Sequence, residues 1–598
     1  MCTGLDDKLA GVWDDTRRAT IKAAVIDTGL SYAPSTWTHV EAALDGYAAQ
    51  WVAARTDACE ATHRGEQSSE LLDRRMACLD ERLEYLSTTT DVLATADSTV
   101  VDHAIVAVSS LPKLRRCADI EALNAKRPPP EDPERARRVT ELDTRLAKAS
   151  ALHDAAKYEA SLQAVAAIVD EASEVQYAPL QARAWLLLGE VQVQRSEYDL
   201  AADSLAKAYD LALGQRMFDE AASASALLMH MFGYYLELHE QGEVWAAQAD
   251  PLSRAVGTDE ARALFLNNRG AMTLAAGRPE LARDDHAQAL ALRRAALGPD
   301  HPDVAGSLTH LGNVARDLGN GPEALGYYQS AFSIRERVFG KEHPIVGASL
   351  YNMGTAARTM GDSVRAQAWL EQALSIRRTA LGPRHPYVAS TLYQLGSVAR
   401  LARNYEQSRI HHEAAFAIWR ETLGAEHPDV AWGYSDLGRG ALTRGEFDLA
   451  REHYTRALQI RESSLGPKHP LVPRSLNALG EVARTRGAHN EARKFHTRAL
   501  EVATQADSPA QRAESLLGLG LVALATGDHG DAVAPLEQAL HVRQSGALSP
   551  ATLDEIRFAL ARALWNAESA TPLDHRRARE LANSATFKHG EQAAQLRA

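Results

Sequence analysis

Histidine and cysteine are the residue types in this chain with the widest chemistry, because both bind metal ions and both act in catalysis. The 598 residues include 22 histidines and 4 cysteines. Five of the histidines precede a proline and recur every 42 residues, at His301, His343, His385, His427 and His469. Residues a full repeat apart cannot share a metal ion. We therefore interpret these five as helix starts, because proline fits the first helical turn.

No catalytic or cofactor-binding pattern accompanies these residues. The sequence contains no His-Glu-x-x-His, no Gly-x-Ser-x-Gly and no Gly-x-x-x-x-Gly-Lys-Ser/Thr motif. His411 and His412 fall in a predicted second helix, in columns that also hold His453 and His496. Such a placement favours a helix-surface or groove role over metal binding. We therefore expect no enzymatic activity, no metal and no other cofactor.

All four cysteines lie in the first fifth of the chain, at Cys2, Cys59, Cys78 and Cys117. No pair has the two-residue spacing of a zinc knuckle. Two disulfides are an open alternative to free thiols, should this region meet an oxidising compartment. The N-terminus lacks the basic start and apolar run of a signal peptide, and no long apolar stretch follows. The sequence thus predicts a soluble, cytoplasmic protein with no membrane insertion.

The composition indicates a folded, acidic, helical protein. Hydrophobic residues make up 45% and charged residues 24%, which is typical of globular chains. Aromatic residues are only 6%, and alanine is abundant, as in closely packed helices. Lys and Arg total 65 against 78 Asp and Glu, a net charge of −13. This charge argues against nucleic acid as a partner.

A repeat of 42 residues organises the centre of the chain. Each unit has an apolar-Gly pair four residues before its His-Pro, and a second glycine eleven residues after the histidine. The second-glycine column holds Gly312, Gly354, Gly396, Gly438 and Gly480. Two small-residue columns follow, Ala324, Ala366, Ser408, Ala450 and Ala492, then Ala331, Ala373, Ala415, Ala457 and Ala499. Apolar residues at helical spacing predict a helix hairpin whose second helix ends in a left-handed glycine cap.

Such a hairpin buries its apolar face only by stacking on the next one. The predicted fold class is therefore all-α, an α-solenoid of helix hairpins preceded by a helical N-terminal region. The predicted parts are the N-terminal region 1–125, a Pro-rich linker 126–134, degenerate hairpins 135–262, the regular array 263–503, and last units with a C-terminal cap 504–598.

The linker between hairpins resembles that of a known repeat. Leu-Gly-Pro-x-His-Pro-x-Val is present at Leu297–Val304, Leu381–Val388 and Leu465–Val472. This motif resembles the tetratricopeptide repeat in its 42-residue form, as in kinesin light chain. The resemblance implies a superhelix whose first helices line a concave groove for a protein or peptide.

The N-terminal region carries a second resemblance. Gly11–Asp14, Thr28–Ala33, Cys59–Thr62 and Arg75–Leu79 resemble a segment of large myxobacterial serine/threonine kinases, between the kinase-plus-membrane portion and a tetratricopeptide array. The kinase motifs themselves are missing, including the Gly-rich loop, His-Arg-Asp and Asp-Phe-Gly. The resemblance implies a bacterial, kinase-associated protein that lacks the catalytic half.

The resemblance also implies groove positions. With the second glycine as the eighth residue of a repeat, the inward positions are the second, fifth, ninth and twelfth. The predicted groove residues are Asn267, Thr309, Asn313, Arg316, Tyr351, Thr355, Arg358, Tyr393, Ser397, Arg400, Trp432, Arg439, Arg474, Asn477 and Arg484. Guanidinium groups bind carboxylates and aromatic rings anchor side chains, so this set suits an acidic peptide. The alternative is that the arginines pair with acidic neighbours or only keep the surface hydrated.

Three functional hypotheses follow. The leading one is a non-catalytic scaffold or regulator that binds a partner protein or acidic peptide segment in the groove. The first alternative is a regulatory or inhibitory subunit of a separately encoded effector enzyme, such as a Ser/Thr kinase or a caspase-like protease. The second alternative is a sensor that closes around a small molecule or signal peptide.

Overall fold

The computed structural model describes residues 6–120, 123, 130–506, 508–542 and 550–584. In this part of the chain every regular element is helical, which confirms the all-α fold class. Residues 126–129 of the predicted linker lie outside the described residues. The N-terminal helices are α1 Asp15–Asp27, α2 Ala33–His63, α3 Ser69–Leu93 and α4 Ser98–Ser109, with short 3₁₀ helices at Asp6–Leu9 and Leu114–Ala118.

The rest of the chain is a succession of antiparallel helix pairs. Before the regular repeats these are α5 Pro133–Asp154, α6 Tyr158–Val175, α7 Ala178–Gln194, α8 Tyr198–Gly214, α9 Phe218–His230 (continued by a π turn, Met231–Tyr235) and α10 His239–Ala255. The regular repeats comprise α11 Asp259–Ala275, α12 Pro279–Leu297, α13 Pro302–Asp317, α14 Gly321–Phe339, α15 Pro344–Thr359, α16 Ser363–Leu381, α17 Pro386–Leu401, α18 Tyr405–Thr422, α19 Pro428–Thr443, α20 Phe447–Leu465, α21 Val472–Thr485 and α22 His489–Gln505. The last are α23 Pro509–Thr526, α24 His529–Val542, α25 Pro550–Asn566 and α26 Pro572–Ser584.

The chain divides into two compact units. Unit 1 comprises Met1–Val314 and Glu323–Asn352, and unit 2 comprises Ala315–Pro322 and Met353–Ala598. Helices α13, α14 and α15 therefore contribute residues to both units.

The glycine column lets the two helices of each hairpin touch. A Cβ built on Gly396 would lie 2.4 Å from the His412 ring, so no larger residue fits there without displacing the second helix. Equivalent pairs are Gly189 with Leu205, Gly270 with His286, Gly312 with Tyr328, Gly354 with Leu370, Gly438 with Tyr454, Gly480 with His496, and Gly520 with Leu536. Bulky residues of several types thus fill one position, and glycine opposite them is the constant partner.

The linker histidines cap the first helices. His385 Nδ1 accepts a hydrogen bond from the Tyr387 N–H at 3.1 Å, and His301, His343, His427 and His469 make the same bond at 3.1–3.2 Å. This geometry confirms the helix-start interpretation for His301, His343, His385 and His427, whereas α21 begins at Val472, three residues after His469. The predicted left-handed glycine cap is wrong in one respect. Gly382 has φ +87° and ψ 155°, so its φ is positive but its ψ is extended rather than helical.

The alanine columns lie at helix contacts and should be intolerant of bulk. Ala373 on α16 is fully buried. We expect Ala373→Leu to destabilise the array by about 1–3 kcal/mol, because extra methylenes force neighbouring helices apart. Hydrogen exchange in α16, α17 and α18 measures the effect, with Ser375→Leu on the exposed face of α16 as control. Unchanged protection in Ala373→Leu would contradict the assigned contact.

The N-terminal region has its own disulfide-linked core. Trp51 is fully buried and donates from its indole nitrogen to the Leu79 carbonyl at 2.7 Å. Cys78 and Cys117 form a disulfide within this core, and Cys59 is also disulfide-bonded. Structural disulfides persist mainly in oxidising compartments, which weighs against the cytoplasmic location that the sequence suggests. None of the described helices is both long and apolar enough to cross a bilayer.

Candidate functional site

Four predicted groove residues belong to unit 1, namely Asn267, Thr309, Asn313 and Tyr351. Asn313 accepts a hydrogen bond from the Tyr328 hydroxyl at 2.8 Å, and Asn267 accepts one from Arg293 at 3.4 Å. The Thr309 hydroxyl donates to a backbone carbonyl of its own helix at 2.9 Å. These three polar side chains therefore form part of the internal hydrogen bonding of unit 1.

The other eleven predicted residues belong to unit 2. They are Arg316, Thr355, Arg358, Tyr393, Ser397, Arg400, Trp432, Arg439, Arg474, Asn477 and Arg484. Thr355 and Ser397 are buried, at 8% and 7% exposure, whereas Arg474 is exposed. The remaining side chains are half-buried, so most of the row keeps some contact with solvent.

The two ends of the predicted arginine row are paired with acids of their own helices. Arg316 lies 3.1 Å from Asp317. Arg484 donates twice to the Glu481 carboxylate, at 2.6 and 2.8 Å. Pairing with acidic neighbours, the alternative that the sequence left open, therefore applies at Arg316 and Arg484.

The centre of the row concentrates positive charge. Burial lowers the pKa of Arg400, and the nearby charges of Arg439 and Arg358 lower it further, against the opposing effect of Asp436. Arg439 contacts Asp436 at 3.1 Å, and that carboxyl side chain is only 6% exposed. Three guanidinium groups thus act on one another, and the carboxylate that acts on Arg400 and Arg439 is buried and already engaged. A carboxylate-bearing ligand would relieve this repulsion.

An aromatic surface adjoins these arginines. The Tyr393 ring lies 6.1 Å from Trp432, and the Arg474 guanidinium lies 4.8 Å from the Trp432 ring centroid. Burial raises the pKa of Tyr393, and the Asp436 charge raises it further, so the hydroxyl stays protonated as a hydrogen-bond donor. Arginine beside a half-exposed indole offers a cation and a flat apolar face together.

Sequence reasoning missed two residues that shape this region. Asp436 neutralises part of the arginine charge, although its position in the repeat holds His310, Asn352 and Gln394 in the preceding units. Arg461 is fully buried and lies 5.0 Å from the Trp432 ring centroid, on α20. Comparing every column between units, and not only the inward ones, could have found both.

Comparison with protein families bears out the repeat. Tetratricopeptide repeat models match residues 146–224, 261–320, 303–379, 387–463, 441–505 and 475–545, together more than half of the chain. The chain belongs to the tetratricopeptide repeat (TPR) family. TPR hairpins form scaffolds suited to protein–protein interaction. The resemblance of the whole chain to the non-catalytic C-terminal region of myxobacterial TPR-containing kinases stays a prediction.

Several solved structures are similar to parts of this TPR protein. A putative kinesin light chain from Podosopora anserina with TPR-like repeats is 22% identical over 33% of this chain and 94% of that one, with a TM-score of 0.29. BtubC (BKLC) from P. vanneervenii is 19% identical, covering 49% and 94%, with a TM-score of 0.27. A Rap protein complexed with Competence and Sporulation Factor is 14% identical, covering 63% and 99%, with a TM-score of 0.41. No curated protein matches the chain.

Metal chemistry finds no support in the described part of the chain. There, no three His, Cys, Asp or Glu side chains are grouped so that they could hold a metal ion.

Proposed function

We propose that this chain is a non-catalytic TPR interaction protein whose unit 2 binds an extended acidic segment of a partner protein. The predicted groove residues of unit 2 line the binding surface. The proximity of Arg400 to the charges of Arg439 and Arg358, with the buried carboxylate of Asp436 engaged by Arg439, carries the proposal.

The local positive charge of the unit 2 arginines favours an anionic ligand. The chain as a whole carries −13, yet Arg400 and Arg439 share the carboxylate of Asp436, and Glu514 acts on Arg474. An anionic segment gains from guanidinium hydrogen bonds, and Trp432 adds an apolar contact for a neighbouring side chain. Exposed parts of such a contact weaken as salt rises.

A fluorescent extended peptide with alternating glutamates tests the proposal, with a lysine counterpart of equal length. We expect the acidic peptide to bind and the basic peptide not to bind unit 2. The double substitution Arg358→Gln and Arg400→Gln should lower the affinity for the acidic peptide on the order of tenfold or more, because interfacial charge pairs are lost. Glutamine keeps much of the side-chain length, and helical circular dichroism checks that folding is preserved.

Matched controls lie on the second helices of the same two repeats. Arg378 and Arg420 are exposed and lie 42 residues apart on α16 and α18. Arg378→Gln with Arg420→Gln removes the same charge and should leave peptide affinity unchanged. His385→Gln should alter stability and not binding, since its ring caps α17. Wild-type affinity in the Arg358/Arg400 variant would refute the proposed surface.

A further inference from the structure

A basic segment of the N-terminal region lies along unit 1. We call residues 98–118, which comprise α4 and the 3₁₀ helix Leu114–Ala118, the strap. Arg116 contacts Asp219 at the start of α9 at 2.6 Å, and Arg115 contacts Glu260 at the start of α11. Lys113 acts on His301 at the start of α13 and lines a cavity with it. Positions earlier in the strap thus contact repeats later in the chain, so the strap runs antiparallel to the order of the repeats.

The far end of the strap is anchored by an aromatic contact. Tyr32 is hydrogen-bonded to Asp102 of α4, and its ring lies 4.9 Å from His343 at the start of α15. Tyr32 and His343 are 2% and 4% exposed. The strap therefore contacts the N-terminal ends of four successive first helices of unit 1, from α9 to α15.

The surface beneath the basic end of the strap is acidic. Asp219, Glu260 and Asp303 each lie in the first turn of a first helix, and we call these three carboxylates the acidic rim. Against them the strap presents Lys113, Arg115 and Arg116, three cations in four residues. The charges of the acidic rim are opposite to those of the unit 2 groove, so the two surfaces select different ligands.

The contact between the strap and the acidic rim is loose. One side chain of each ion pair is largely exposed, with 61% for Arg115 and 52% for Asp219, and its partner is 32–33% exposed, so neither pair is buried and each contributes little to stability. A cavity of about 310 Å³ remains between the strap and the repeats of unit 1. Leu111 lines it on the side of the strap and Leu264 on the side of the repeats. An interface that served folding alone would be packed more closely.

The strap is held firmly on its other side. Cys117 is 2% exposed and disulfide-bonded to Cys78 of α3, and Leu114 packs in the same core. The basic side chains therefore leave the acidic rim without any loss of this core.

We propose that the acidic rim is a binding site for a basic segment of a partner protein, and that Lys113, Arg115 and Arg116 of the strap occupy it as an internal competitor. A partner binds by supplying cations at similar spacing and displacing the two strap arginines. Such a partner must displace the weak, salt-sensitive hold of the strap, which lowers its apparent affinity and so sets the threshold for binding. This inference concerns unit 1 and goes beyond the acidic-segment function proposed for unit 2.

The full-length chain tests the proposal, with a labelled peptide of residues 110–120 that carries serine in place of Cys117. Arg115→Glu with Arg116→Glu repels the strap from the acidic rim and leaves the disulfide in place. We expect this variant to bind the peptide at least about tenfold more tightly than the wild type, because the internal competitor is removed. Hydrogen exchange of residues 110–118 should rise, while α9, α11 and α13 keep their protection.

Two further variants complete the design. Asp219→Lys with Glu260→Lys destroys the acidic rim and should abolish peptide binding. Adding these to Arg115→Glu and Arg116→Glu swaps the charges, which should restore strap protection and still exclude the basic peptide. Equal peptide affinity in the wild type and the Arg115/Arg116 variant overturns the proposal. The proposal is also overturned if the Arg115/Arg116 variant loses hydrogen-exchange protection throughout α9–α13 and does not bind the peptide, because the strap would then have a purely structural role. The acidic peptide used for unit 2 should be indifferent to all of these changes, so the two proposals fail separately.

Discussion

Replacing His286 with leucine should make unit 1 more resistant to acid. The free energy of unfolding that unit 1 loses between about pH 8 and about pH 5 should be smaller by about 2 kcal/mol in the variant. His286 is fully buried against Gly270, and neither ring nitrogen has a hydrogen-bond partner within the described residues. Burial, with His310 and Arg293 nearby, lowers the pKa of His286 to about 3. The ring therefore stays neutral in the folded chain.

The sign of the effect follows from proton uptake. Below its ordinary pKa of about 6.5 the imidazole binds a proton in the unfolded chain but not in the folded one. Acid thus favours unfolding between about pH 6.5 and the folded pKa of about 3, and above pH 6.5 this group has no influence. Over 1.5 pH units, at about 1.4 kcal/mol per unit, the loss is about 2 kcal/mol. Leucine fills the same position in other repeats, as Leu205, Leu370 and Leu536 show, and it cannot take up a proton.

Native-state hydrogen exchange of α11 and α12 at the two pH values measures the difference, because an array of this length does not unfold in two states. Glu190 acts in the opposite direction, since burial raises its pKa to about 7. Its contribution is equal in wild type and variant and cancels in the comparison. The exposed His63 provides the control, and His63→Leu should leave the pH dependence as it is. An identical pH dependence for His286→Leu would disprove the buried neutral state.

Local features were the part that the sequence could predict. The His-Pro helix starts, the glycine column and the alanine columns act within one hairpin or between neighbours, so a repeated spacing reveals them. The pairing of Arg484 with Glu481 was also within reach, because side chains three residues apart adjoin on a helix. Contacts between residues that are far apart in the sequence could not be predicted. Four cysteines allow three pairings, and no spacing indicates that Arg115 meets Glu260.

The sequence revealed the arginine row as a column of the repeat but not its charge balance. The twelfth-position column suggested four equivalent arginines. The structure separates them, because Arg316 and Arg484 have acids on their own helices whereas Arg400 faces Arg358 and Arg439. Which acids lie near a given arginine depends on helix–helix geometry, and the sequence pattern does not contain it.

A second arginine column, which sequence reasoning missed, links successive repeats, and its side chains are buried at Arg377 and Arg461 and half-buried at Arg293 and Arg335. Each of these arginines lies near the end of a second helix and donates to a hydroxyl on the following first helix. The pairs are Arg293 with Ser307 (2.8 Å), Arg335 with Ser349 (2.9 Å), Arg377 with Thr391 (2.7 Å) and Arg461 with Ser475. In the remaining repeat both members change, to Trp419 and Gly433. Arginine and hydroxyl thus occur together or not at all, which indicates a coupled pair.

We expect Ser475→Ala to destabilise unit 2 by about 1.5–3 kcal/mol, because it removes the hydrogen-bond acceptor of a buried guanidinium. Arg461 is fully buried, and its Nε and Nη2 have no other partner in the described part of the chain. Burial, with the Arg474 charge nearby, lowers the pKa of Arg461 to about 10, so the group is still charged near neutral pH. A cation in this state depends on its one acceptor.

Arg461→Met should by contrast be nearly neutral or stabilising, because it replaces a buried charge with an apolar chain of similar length. In the Arg461→Met background, Ser475→Ala should then cost less than about 0.5 kcal/mol, since the hydroxyl no longer has a guanidinium to satisfy. Hydrogen exchange of α20 and α21 in the four proteins gives the coupling energy. Additive effects would mean that Ser475 matters for packing alone. A coupling of the expected size would show that the repeats of this array are joined by buried charge-to-hydroxyl bonds as well as by apolar contact.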